Sequence, residues 1–126
     1  MTNEELLNAR EIIVLMINGT EDVDINIEFD GAQTTPVRYA LNQNSKRIQD
    51  SLESYQEMLE EITDDYDVDF PIGDLEDKPD DFQKEIDELL NQESPFEPYT
   101  ISADKFMEEP SVPFELIQML DWMIED

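Results

Sequence analysis

The densest set of ligand-type side chains is Asp65-x-Asp67-x-Asp69, followed by Ile72 and Glu76. These positions match the alternating oxygen donors and the closing Glu of an EF-hand calcium loop, the pattern a hard cation needs. The place where that loop needs glycine for its sharp turn holds Phe70, with Pro71 behind it. Lys78-Pro79 also keeps a helix from leaving the loop directly. In a chain with 34 acidic residues such a partial match arises readily by chance. A solvated acidic loop is therefore the expectation. Calcium on Asp65, Asp67, Asp69 and Glu76 is the alternative, and no other metal or cofactor is expected.

Other reactive constellations are thinner. Ser102-x-x-Lys105 has the spacing of a serine–lysine nucleophile pair without the other boxes of those enzymes, so Ser102 reads as a helix cap. Paired carboxylates occur everywhere and single out no general acid, which would need one carboxyl group in an apolar pocket. The chain has no histidine and no cysteine, which removes imidazole and thiolate chemistry together. With only three glycines it has no glycine-rich phosphate loop. The expectation is a protein that is not an enzyme.

Charge is the strongest compositional signal. Thirty-four acidic residues face seven basic ones, a formal net charge of −27. Such a chain repels nucleic-acid backbone, so no direct nucleic-acid binding is expected. Carboxylates spread over every exposed face indicate salt adaptation or solubility, because multimolar salt screens their repulsion. Carboxylates concentrated at phosphate-like intervals indicate a nucleic-acid mimic that occupies a basic groove. Here the acid is mostly spread, which favours the first. No apolar run reaches membrane-spanning length, and the first residues lack a basic region followed by an apolar stretch. The sequence thus predicts no membrane contact and a place in a host cytoplasm or a viral particle, not secretion.

The elements that carry these residues follow from periodicity. Thr2 with Glu5 makes a capping box for a helix to about Asn18, apolar nearly all round in its last turns and stopped by Asn18-Gly19. Asp22 to Asp30 alternates acid with Val23, Ile25, Ile27 and Phe29, a strand pattern, and its expected mate is Phe96 to Ser102. Thr35-Pro36 opens a long central helix to Ile62. Leu41, Ile48, Leu52, Tyr55, Leu59 and Ile62 form its stripe, and Ser45 interrupts the seam. Residues 64–81 read as an acidic loop. Asp80 with Gln83 is expected to cap an antiparallel partner helix bearing Phe82, Ile86, Leu89 and Leu90. Ser102 is expected to cap one turn through Met107, and Pro113 to open a closing helix that carries Phe114 through Ile124. The expected fold is α+β, mainly α, in one domain over 1–126. It has a long central helix with its antiparallel partner, N- and C-terminal helices and a small two-stranded β element.

Two surfaces on these helices suit a partner. No acid occurs between Gly31 and Gln49, so the first half of the central helix is positive and the second half negative, against the helix dipole. Arg38, Tyr39, Asn42, Lys46 and Arg47 then form a docking patch for an acidic protein surface or a second copy of this chain. The competing expectation, which the sequence favours, is that these cations pair with carboxylates of the same chain. On the closing helix Phe114, Trp122 and Met123 are the candidate interface anchors; the reading the sequence favours is that the core absorbs them.

Pro36-x-x-Tyr39-Ala40-Leu41-x-x-Asn44, running into Ile48 and Tyr55, resembles a group of small proteins encoded by tailed phages and prophages. The similarity continues through the Phe82 to Asn91 helix with its Leu-Leu-Asn-Gln end, the segment near Ile101, and Trp122-Met123-Ile124-Glu125. The Asp22 to Asp30 strand departs from that pattern. The resemblance implies an origin in a tailed virus, with the acidity pointing to a salt-loving host, and carries no activity or site. The expected function is protein–protein contact as a viral accessory, structural or assembly component. The alternative is an acidic mimic of nucleic acid that inhibits a host defence or DNA-binding protein.

Overall fold

The computed structural model describes residues 1–21, 24–69 and 72–125. Helix α1 spans Asn3–Asn18, and its first turn is fixed by the capping box: Glu5 N–H donates to Thr2 Oγ1 (3.1 Å) and Thr2 N–H to Glu5 Oε1 (2.9 Å). Its core face is Leu6, Ala9, Ile13 and Met16. The last turns are less enclosed than their composition predicts, since Val14 is 51% exposed and Ile17 also faces outward. Gly19 ends the helix at φ 83°. A Cβ there would lie 2.8 Å from the Asp30 carbonyl carbon, so only glycine lets the chain return so closely beneath α1.

The central helix is found as two helices in line, α2 over Thr35–Ser51 and α3 over Glu53–Asp65. They join at Leu52, whose ψ of −1° opens the turn. Helical hydrogen bonds still cross the joint, from Leu52 N–H to Ile48 O and from Gln56 N–H to Leu52 O, both 2.9 Å. Leu41, Ile48, Leu52 and Ile62 are buried as the stripe requires. The seam is filled by Asn44 and not by Ser45. Asn44 is wholly buried, accepting from Tyr99 N–H at Oδ1 (2.7 Å) and donating from Nδ2 to Tyr99 O (2.9 Å).

Helix α4, Asp80–Leu90, packs on α3. Tyr66, just past α3, meets Phe82 edge-on at 5.4 Å, and Met58 shares a hollow with Leu89 and Gln92. Asp80 does not cap α4. Pro79 holds the cap position with no side-chain bond, and Gln83 Nε2 instead donates to Lys78 O (2.8 Å). Leu59, Tyr66, Val68, Ile72, Leu75 and Leu89 pack around Ile62, Phe82 and Ile86 as a small second core. Among the described residues of the acidic stretch, Val68, Ile72 and Leu75 are therefore partly buried against this core while the carboxylates face water. Asn3 joins this arm to α1, its N–H donating to Gln92 O (3.0 Å) and its Nδ2 to Leu89 O (2.7 Å).

The β element exists with different members. Residues 24–30 lie in no strand, while 22 and 23 fall outside the described residues. The sheet pairs β1 (Ile101–Ser102) in parallel with β2 (Ile124–Glu125), Ile101 opposite Ile124. Helix α5, Asp104–Met107, follows β1, and Ser102 Oγ accepts only a long bond from Asp104 N–H (3.4 Å), with Ala103 at the cap position. The closing helix is shorter than its apolar run. Helix α6 spans Phe114–Met119, the chain tightens into a 3₁₀ turn at Asp121–Met123, and β2 follows. Ending the helix early lets Met123 drop into the core and Trp122 meet Phe96 edge-on at 5.7 Å. The main core gathers α1, α2, α5 and α6 around Leu6, Ile13, Leu41, Phe106, Leu116 and Leu120.

Candidate functional site

Helix α2 turns one face to the core through Val37, Ala40, Leu41, Asn44 and Ile48, which leaves Arg38, Asn42 and Lys46 as an outward row at four-residue steps. Tyr39 lies beside them and is 53% exposed. Its ring meets Tyr99 edge-on at 5.5 Å, and the Arg47 guanidinium lies 5.7 Å from the centre of the same Tyr99 ring. Arg47 also donates from Nη1 to Glu97 O (3.1 Å). The Asn44 clasp fixes the backbone of Tyr99, so one buried amide holds the ring that both Tyr39 and Arg47 rest against.

The expected ion pairs of these cations do not form among the described residues. Among the described residues the side-chain ion pair is Lys105 Nζ to Glu108 (3.7 Å), and Arg38, Lys46 and Arg47 have no carboxylate within 4.0 Å. Arg47 satisfies itself on a carbonyl and an aromatic face, and Arg38 and Lys46 point into water. In this acidic chain, α2 thus presents a row of cations with a tyrosine beside it, none of them in contact with a carboxylate among the described residues, although Asp50 and Glu97 share a hollow with Arg47. The residue that sequence reasoning missed is Tyr99. It stands 55 positions from Asn44 in the chain, and only its aromatic character hinted at more than a strand.

The other expected anchors separate. Phe114, at the start of α6, is 62% exposed and free for contact. Trp122 is half-buried against Phe96. Met123 is 0% exposed, with Asn44 Nδ2 at 3.6 Å from its sulfur, and belongs to the core, not to a surface.

Among the described residues no three acidic side chains come together as a cation site, so Asp65, Asp67, Asp69 and Glu76 are not gathered around one point. The reason is local. Asp65 ends α3 inside the helix, Asp67 takes a left-handed φ of 53°, and Glu76 lies in a 3₁₀ turn whose N–H is capped by Asp74 Oδ1 (3.1 Å). Phe70 and Pro71, which break the calcium pattern, fall outside the described residues. Two tyrosines are perturbed. The Glu85 carboxylate beside its hydroxyl pushes Tyr66 upward, and burial does the same to Tyr55.

A second surface feature lies beside the segment that joins α1 to α2. An open hollow of about 850 Å³ is bounded by Ile25, Ile27 and Glu28 on one side and by Val112 and Pro113 on the other. No helix of the described residues is long and apolar enough to cross a membrane. Compared with protein-family models, curated proteins and solved structures, the chain has no match.

Proposed function

We propose that this protein is non-catalytic and works by protein–protein contact, with the outward face of α2 as its principal contact surface. One observation carries the reading: α2 gathers Arg38, Lys46 and Arg47 on one helix beside the exposed Tyr39, each without a carboxylate within 4.0 Å among the described residues, whereas the other cations without an ion pair, Arg10, Lys78 and Lys84, are scattered over other segments. Charges left unpaired on a rigid helix, with an exposed tyrosine among them, favour an acidic protein surface by electrostatic complementarity. Phe114 offers an apolar contact of the kind that anchors such surfaces. The resemblance to phage-encoded proteins supports a viral accessory, structural or assembly role for this contact. The remaining carboxylates serve solubility and tolerance of salt.

The test is photo-crosslinking in the cells that produce the protein, from a reactive amino acid placed at Asn42 or, separately, at Glu60 on the outward side of α3. Contact through α2 yields a defined protein adduct from position 42 and none from position 60. Adducts from position 60 alone, with a DNA-binding protein and competed by DNA, would replace this reading with nucleic-acid mimicry. Absence of any adduct at position 42 contradicts it.

A further inference from the structure

Residues 24–30 carry the clearest strand alternation in the sequence and nevertheless lie in no sheet. From Ile27 to Asp30 burial still alternates, with Ile27 and Phe29 inward and Glu28 and Asp30 outward, as in an extended run. One edge of that run is satisfied by a single residue. Thr20 N–H donates to Phe29 O (2.7 Å), Phe29 N–H donates to Thr20 Oγ1 (2.8 Å), and Thr20 Oγ1 donates to Ile27 O (2.6 Å). Successive residues of an extended chain turn their backbone groups to opposite edges, so Glu28 belongs to the other edge. Among the described residues its N–H and C=O make no hydrogen bond. Glu28 lines the 850 Å³ hollow, which lies between this run and Val112-Pro113.

We infer that this free edge accepts an extended, cation-bearing segment of a partner protein as an added strand. The segment lies in the hollow, hydrogen-bonds to the backbone of Glu28, and sets lysine or arginine side chains against Glu21 and Glu28. The apolar floor of Ile25, Ile27 and Val112 takes its alternate side chains. Charge selects the occupant. The charged residues that line the hollow are Glu21, Glu28 and Asp30, and no lysine or arginine is among them. A second copy of this chain would bring the same acids to the same place, and like charges directly opposite destabilise a strand pair. The exposed carboxylates therefore guard the edge against self-pairing while they admit a basic strand. This surface is separate from α2, and either can fail without the other.

The test titrates the full chain with a fluorescent peptide of alternating Lys and Val and follows amide hydrogen exchange. Binding should slow exchange of the Glu28 amide. It should weaken at least about tenfold when the peptide is N-methylated along one edge, or when Glu28→Lys is introduced, tenfold being about 1.4 kcal/mol. Glu60→Lys on α3 controls for bulk charge and should change binding less than about twofold, well under that 1.4 kcal/mol. A peptide of alternating Glu and Val should not bind. Equal affinity for the N-methylated peptide, an unprotected Glu28 amide, an equal effect of Glu60→Lys, or no binding at all would each overturn the proposal.

Discussion

Asn44 does with one side chain what a neighbouring strand would do with its backbone. Its amide gives and takes a hydrogen bond with Tyr99 at 2.9 and 2.7 Å inside the core. Asn44→Leu would fill the seam of α2 with a better hydrophobe and still lose, because it removes the partner of a part-buried backbone N–H and C=O. A buried group left unpaired costs about 1–3 kcal/mol, so urea unfolding should show a loss of about 1 kcal/mol or more. A neutral or stabilising effect would mean that water replaces the amide. At the other end of the chain, Thr2→Ala should cost about 1 kcal/mol through loss of the cap, read as a lower thermal midpoint. The same box gives a pH signature. Hydrogen bonds from Thr2 hold Glu5 below its ordinary pKa, so its contribution is present above that value and lost as pH falls through the lowered one. The stability gap between the wild-type protein and Glu5→Gln should therefore narrow on acidification.

Among the elements, those set by short-range chemistry were legible and those set by distant neighbours were not. The capping box, the glycine stop of α1 and the Thr-Pro start of α2 lie within a few residues of what they control. The closing helix was overrun because apolar content alone does not say where a helix stops. Pairing of Ile124 with Ile101 and the burial of Met123 end it at Met119. The strand pattern of residues 24–30 told of backbone preference but not of a mate, and Thr20 supplies a substitute for one edge. The α2 patch was readable as a run of positions without acid. Its lack of ion pairs among the described residues was not, since pairing depends on which face each carboxylate takes. This division predicts unequal costs within the closing segment. Leu120→Ala should destabilise by about 2–5 kcal/mol through a core cavity. Phe114→Ser should stay within about 0.5 kcal/mol, because Phe114 already faces water. Equal losses by calorimetry would place Phe114 in the core and remove it as a contact.

At the scale of the whole molecule, a net charge of −27 on 126 residues makes self-repulsion the general opponent of folding. Repulsion between exposed charges is screened within about 10 Å at 0.1 M salt and more closely above it. The melting temperature should therefore climb by several degrees from low salt to molar salt, and a flat profile would show that the carboxylates are spaced too widely to oppose folding. Against that field α2 gathers three of the chain's seven cations on one helix. The most direct measurement compares the wild-type protein with the double substitution Arg38→Glu and Lys46→Glu in quantitative recovery of bound proteins from producing cells at their native salt. Both variants should fold alike, since both side chains point into water. The α2 contact predicts a bound protein retained by the wild type and lost at least about tenfold from the reversed variant, a difference of about 1.4 kcal/mol. Equal retention by the two would contradict it.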